Sequence, residues 1–479
     1  MPAMADIPAE TVLEVRLLTA LSSYSSKTGA RVEAQVVAPA CPRGIPAGAT
    51  VSGIVKRVHK VGLGLIHECA RLDIEFSELH LPGGESYAMR ARLLGVANAR
   101  ERVDRHGSIR GIRATASLSN RMSSRLFFGI DDHPFLVIPL FVLETAVFQF
   151  PDPEISYGPG TEMSLQLEDA IHAGELPGCA DTEPQARPDE SAELEELVGG
   201  LPAWTYTRRR STPMDPTNLV FLGSREAVDR AFDAAGWTGS ESISVAAGMR
   251  MVRAIAEGNG YAGAPMRTLL LDGAEPDISR QKALNTFSKR DHLRMWKRPN
   301  SFRGQTVWAA AATKDIAVAF SVRSFGFTHE IQNDVDLERD KVVSDMVFTG
   351  CVDSVSYVRR PEVATDLLLD GRKGLTTDAR LAVVALNSCE TPRLGSATAT
   401  EKPPVPLAVR WVRRVTLTAR NHILRDHMLW KRGEAGWMAY RMARYFVQER
   451  LNQRRALAAA RVQAPSERQD ESRGGLAGK

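Results

Sequence analysis

Three separate stretches of this chain carry the same phrase, and that phrase restricts the fold more than any other feature. "IPAETVLEVRL" from Ile7, "IPAGATVSGIV" from Ile45 and "YGPGTEMSLQL" from Tyr157 each run a proline or glycine turn into a threonine and then into alternating apolar and polar residues. A period of two puts every second side chain on one face, which suits a strand with one side in a core and the other in water. Further runs of this kind, "RVEAQVV" and "RLDIEFSEL", lie between turn residues in the first 125 positions. Many short alternating strands of this sort close into a small all-β barrel or stack as a sandwich. Because the third copy of the phrase follows Pro151, the chain beyond it is expected to return to the same sheet.

The remainder of the 479 residues divides by composition. Residues 1–125 are the β domain, and 126–172 hold an apolar helix and the returning strand. Residues 173–200, "AGELPGCADTEPQARPDESAELEELVGG", are acidic and poor in aromatics, as a solvated linker is. Residues 201–405 carry helix patterns first and strand patterns later, which indicates an α+β domain with a largely antiparallel sheet. Within them "TNLVFLGSREAVDRAFDAAGW" reads as a strand running into a helix, capped by Ser224, with Glu226 in its first turn and Gly236 stopping it. A second helix is expected over "SISVAAGMRMVRAIAEG". Strands are expected at "RTLLLD", "HLRMWKR", "TVWAAAA", "IAVAFSVR" and "CVDSVSYVR". Residues 406–462 form a basic, aromatic helical extension, and 463–479 a disordered tail.

A formal net charge of +4 is too mildly basic to imply a specific nucleic-acid partner. The apolar run from His133 to Pro151 is interrupted by Pro139 and Glu144 and is short for a bilayer span, and the N-terminus shows no signal-peptide pattern. Cys41, Cys69, Cys179, Cys351 and Cys389 are scattered and never form a CxxC pair, so buried thiols are expected rather than a disulfide framework or a zinc site.

Two stretches are similar to known families. "IPAETVLEVRLLTALSSYSSKTGARVEAQVV" with "GIPAGATVSGIVKRV" and "ARLDIEFSELHLPGG" resembles the β-barrel of TrbI-type conjugation and type IV secretion proteins, without that family's membrane anchor. From Asp215 to about Arg360, "DPTNLVFLGSREAVDRAFDAAGW", "RDHLRMWKR", "VWAAAATKDIAVAFS" and "THEIQNDVDLERDKVVSDMVFTGCV" resemble the LssY C-terminal domain family. That second resemblance implies a bacterial protein of the cell envelope, periplasmic or membrane-peripheral, since the domain is often fused to membrane-embedded regions. A cytoplasmic location is the alternative.

The candidate chemistry sits in two phrases. As a strand, "KRDHLRMWKR" aligns Arg290, His292, Arg294, Trp296 and Arg298 on one face at about 7 Å intervals, a row suited to phosphate or carboxylate. A strand face whose arginines pair with nearby acids is the competing expectation. In "GFTHEIQNDVDLERD" and the five residues after it, the acids from Asp334 to Asp345 have EF-hand spacing, but Arg339 stands where the loop needs glycine. A strand ending near Ile331 and a helix starting near Asp334 or Asp336 are expected instead, with no metal site. If His329 and Glu338 or Asp340 met His292 and the arginines, the set would suit phosphoester hydrolysis. The leading expectation is an accessory module binding a phosphate-bearing or other anionic ligand, with membrane-surface contact through residues 407–462. A structural envelope scaffold is the remaining alternative. Cofactor use and oligomeric state are not readable from the sequence.

Overall fold

In each copy of the repeated phrase one residue takes a left-handed backbone: Glu10 (φ 67°), Gly48 (φ 91°) and Gly160 (φ 83°). A computed structural model describes residues 5–117 apart from 38–44, 46–47 and 63–67. It also describes 152–173, 191–392 apart from 208–209, 243, 258–259, 322–325 and 368–373, then 406–426, and scattered positions from 432 to 450. At all three left-handed residues the N–H donates to the last residue of a neighbouring strand: Glu10 to Leu167 (2.9 Å), Gly48 to Val36 (3.0 Å) and Gly160 to Leu17 (2.7 Å). Those strand-end residues return the bond to the carbonyls of Thr11, Ala49 and Thr161. The Thr11 and Thr161 hydroxyls close the same turns onto the carbonyls of Pro8 and Gly158. The phrase is thus a device for starting a strand beside the end of another.

Six strands result: β1 (Val12–Leu17), β2 (Arg31–Val36), β3 (Thr50–His59), β4 (Arg71–His80), β5 (Ser86–Val96) and β6 (Glu162–Leu167). Each pairs antiparallel with the next, and β6 closes on β1, giving a six-stranded barrel in up-and-down order. Closure leaves none of the six as an edge. Leu13, Val15, Val32, Val51, Phe76 and Leu165 are among the residues that fill it. At Gly53 the wall is so close that a Cβ would stand 2.1 Å from the Glu75 carbonyl oxygen.

Beyond the barrel come α1 (Ser191–Gly199), β7 (Leu219–Leu222), α2 (Arg225–Ala234), α3 (Val245–Glu257), β8 (Ile278–Lys282), β9 (Arg290–Phe302), β10 (Gln305–Ser321), β11 (Gly326–Ile331), α4 (Asp336–Thr349), β12 (Val352–Arg359) and β13 (Arg380–Leu386). The sheet runs β8-β9-β10-β7-β13-β12, with β11 also on β10. Every one of these pairings is antiparallel except β7 with β13. "TVWAAAA" and "IAVAFSVR", expected as separate strands, are one strand, β10. The β9–β10 turn is made by Arg303 and Gly304, both at positive φ, as a two-residue hairpin loop requires. Ala309 to Ala312 are buried on both faces, because the sheet is covered on both sides. Leu293, Met295, Ala310 and Ala312 pack with α2 and α4, while Trp296, Ala309 and Ala311 pack with Leu194 and Val198 of α1.

Ser224 caps α2, its hydroxyl accepting from the Ala227 N–H at 3.1 Å, and Gly236 follows the helix at φ 79°. One expectation about cysteine is corrected: Cys351 and Cys389 form a disulfide. No spacing pattern announces it, because the pair is brought together by neighbouring strands across 38 residues. Barrel and sheet lie within one unit, residues 1–414. The helix α5 (Leu407–Asp426) runs from its end into a second unit, residues 415–479. The apolar segment His133–Pro151, the acidic residues 174–190 and the tail 463–479 lie outside the described residues. No described helix is long and apolar enough to cross a membrane.

Candidate functional site

The alternation of β9 places Arg290, His292, Arg294 and Trp296 toward α1 and Asp291, Leu293 and Met295 toward α4. All seven are buried. Each arginine of the row has a partner. Arg290 donates to Asp315 (2.8 Å) and Gln281 (3.1 Å), Arg294 to Asp215 (3.1 Å) and the Arg267 carbonyl (3.2 Å), and Arg298, at the outer end, to Asp272 (2.7 Å). His292 Nε2 is 2.8 Å from the Thr313 hydroxyl, and its Nδ1 is 3.7 Å from Asp315. Burial pushes His292 down to about 4 against the pull of Asp315, so the ring is neutral at pH 7. The open oxyanion row expected from the sequence is therefore an enclosed one, with its guanidiniums already neutralised by carboxylates.

The acids that begin α4 are likewise taken up locally. Asp336 accepts from the Thr377 hydroxyl (2.9 Å) and the Asp378 N–H (2.5 Å), and Arg339 bonds Asp336, Asp340 and Asp378. Asp340 also accepts from the Tyr357 hydroxyl at 3.3 Å. Glu338 lies on the Asp291 side of the sheet, and neither of its oxygens has a hydrogen-bond partner among the described residues. Burial, then the charge of Asp291, pushes its carboxyl well above the usual range. Glu338 and His292 thus stand on opposite faces of one sheet, and the meeting that phosphoester chemistry needs does not form. The backbone of His329, in β11, pairs with Val318 of β10; its side chain lies outside the described residues.

The densest arrangement of charge is one the sequence did not suggest. Asp345 of α4 accepts from Arg16 of β1 and from Lys341 (3.0 Å) on one oxygen, and from Lys282 (3.0 Å) and Trp237 Nε1 (2.7 Å) on the other. Glu162 of β6 accepts from Arg16 (2.9 Å) and Lys282 (2.6 Å) on one oxygen, and pairs with Lys341 (2.6 Å) through the other. Three cations and two carboxylates therefore form a knot between barrel and sheet domain. Arg16 also lies over the Phe348 ring, 4.5 Å from its centroid.

Burial pushes Glu162 and Asp345 up, but Lys282, Lys341 and Arg16 outweigh it and hold both carboxyls below their ordinary values. Lys341 is raised by Asp345 and Glu162, whereas burial and the neighbouring Arg16 lower Lys282. Beside the knot, Asn98 in the loop after β5 donates to Asp291 (2.8 Å) and to the Lys282 carbonyl (3.1 Å), and Lys314 pairs with Asp291 at 3.0 Å. Asn285 and Tyr157 both donate to Glu101, a second tie between the domains.

Glu338, Lys341 and Asp345, three and four residues apart, share one stripe of α4, and the sequence does not show what that stripe meets. Arg16 and Glu162 point outward from the barrel at positions that alternation assigns to water, and α4 together with Lys282 of β8 covers them. Among the described residues, no group of three or more His, Cys, Asp or Glu side chains is placed to hold a metal ion.

Residues 199–374 match the family described as "LssY C-terminus". The match covers most of the sheet domain and less than half of the chain. ComB10 of the Com type IV secretion system of Helicobacter pylori is a structural neighbour at 16% identity, covering 35% of this chain and 89% of that chain, with a TM-score of 0.20. At that score the likeness has no bearing on fold or function. No curated protein matches the chain.

Proposed function

We propose that the chain is an envelope-associated accessory module that docks on an anionic surface of phosphate-bearing lipid headgroups through its basic C-terminal helix. The observation that carries this reading is the exposed apolar edge of α5, where Val409, Trp411, Val412 and Val415 face solvent and Trp411 is 67% exposed. The same helix carries Arg410, Arg413, Arg414, Arg420 and Arg425 against a single acid, Asp426. Arg413 is held by Glu154 and lies over Tyr24. In the second unit, Tyr440 and Val447 are exposed, as are Arg444 and Arg450. An exposed apolar stripe on a helix whose sequence is rich in arginine suits the boundary between headgroups and acyl chains, where a basic residue near an anionic leaflet contributes about 1 kcal/mol. What supports an envelope location is the LssY C-terminal domain, whose resemblance implies membrane-embedded neighbours.

The arginine row has less support as the binding surface, because occupying it requires breaking pairs such as Arg294 with Asp215. Hydrolysis by His292 and His329 with Glu338 or Asp340 has less still, since Glu338 lies across the sheet from His292.

The test is co-sedimentation of the full chain with phosphatidylcholine vesicles, with and without phosphatidylglycerol. Binding only to the anionic vesicles is expected, weakened about tenfold by Trp411→Ser with Val415→Ser and also weakened by salt. Equal partition of parent and variant, or binding to neither vesicle, overturns the reading; the second result favours a structural scaffold.

A further inference from the structure

The Cys351–Cys389 disulfide lies in the core shared by α2, α4 and the sheet, with both residues buried. It joins the residue before β12 to the segment after β13, where Val352 already faces Leu386. Local hydrogen bonds hold both halves. The Cys351 N–H donates to the Thr349 hydroxyl (3.2 Å), the Cys389 N–H to the Asn387 side chain (2.9 Å), and the Asn387 N–H to the Cys351 carbonyl (3.1 Å). Cys389 takes a left-handed backbone at φ 50°, a conformation costly for any residue but glycine, and the bond ties that turn to the sheet.

Disulfides of this kind form and persist in oxidising compartments and are rare in the cytosol. We infer that the sheet domain matures outside the cytoplasm, where a thiol–disulfide oxidase closes Cys351 onto Cys389 before the core is sealed. One cysteine thiolate attacks the oxidase disulfide, forming a mixed disulfide and releasing one oxidase thiolate. The second cysteine then attacks the chain's sulfur in that mixed disulfide. The intramolecular bond forms, and the oxidase leaves as a dithiol, having taken up two electrons and the two protons of the chain's thiols. Once α4 is packed, burial keeps reductants from the bond, which makes it a structural staple and not a switch. The inference deepens the envelope location of the preceding reading and does not depend on lipid docking.

In cells producing the full chain, thiols are trapped with acid and N-ethylmaleimide before lysis, the cells are fractionated, and the protein is digested without reduction. A linked Cys351–Cys389 peptide pair in the extracytoplasmic fraction is expected. Alkylation of both cysteines in folded, protease-resistant protein overturns the staple, and a linked pair confined to the cytoplasm overturns the compartment. As a second readout, Cys351→Ser with Cys389→Ser is expected to lower Tm by several degrees in non-reducing buffer; an unchanged Tm also counts against the staple. Failed vesicle binding with an intact linked pair removes the docking reading alone.

Discussion

Two buried charge clusters lie on either side of β9, and they differ in what they hold together. Arg290, His292 and Arg294 face α1 and find their acids, Asp315 and Asp215, inside the sheet domain. On the α4 side, Asp345 and Glu162 gather Arg16, Lys282 and Lys341 from two domains, and every carboxylate oxygen in that knot has a basic partner. The row is a set of local pairs. The knot joins residues up to 329 positions apart and is the most highly charged of the ties between barrel and sheet domain, which lie in one unit. A buried ion cluster adds little over an apolar core of the same shape, but losing one member strands the others in a low dielectric. The row and the knot are thus both costly to break, and only breaking the knot is expected to uncouple the domains.

The largest expected effect is at the knot. Asp345→Ala leaves three cations facing Glu162 alone and is expected to cost about 3–5 kcal/mol in chemical denaturation of the full chain. Arg294→Ala, which strands Asp215, is expected to destabilise the sheet domain without separating it from the barrel. Equal effects of the two substitutions on the barrel would erase the contrast.

Acid separates the clusters next. Below 6.5 the unfolded chain protonates its histidines, while the buried His292 ring refuses the proton until about 4, so stability falls across that interval by on the order of 3 kcal/mol. Proton titration of His292 by NMR should show no charge above pH 5. The depressed carboxyls of Glu162 and Asp345 act at lower pH: their contribution is complete above the ordinary carboxylate range and is lost as pH falls from there through their lowered values.

Glu338 has the opposite sign. As pH rises past the carboxylate range the unfolded chain ionises while the buried carboxyl keeps its proton, so stability falls. Glu338→Gln is therefore expected to raise stability relative to the parent at pH 8 and to change little at pH 4. A variant equally stabilised at both values contradicts the assignment of a retained proton.

Much of the fold was legible because it is local. The repeated turn announced barrel strands at Val12, Thr50 and Glu162, Ser224 announced α2, and the residues around Asp336 announced a helix in place of a calcium loop. Alternation along β9 also gave the two faces correctly. It left open which face water reaches, since a strand covered on both sides has the same period as one covered on a single side. Arg16 and Glu162 were illegible for the same reason: their burial depends on α4, more than 170 residues away in sequence from either. The disulfide escaped because Cys351 and Cys389 meet only through the β12–β13 pairing.

Calorimetry of the full chain and of Asp345→Ala, with hydrogen exchange followed in β1 and β6, tests most directly whether the knot makes one unit of two domains. Barrel and sheet domain are expected to unfold together in the parent, and the variant to show barrel amides opening separately from those of β9 and β10. Independent unfolding of the two domains in the parent, with barrel exchange indifferent to Asp345→Ala, would contradict the account.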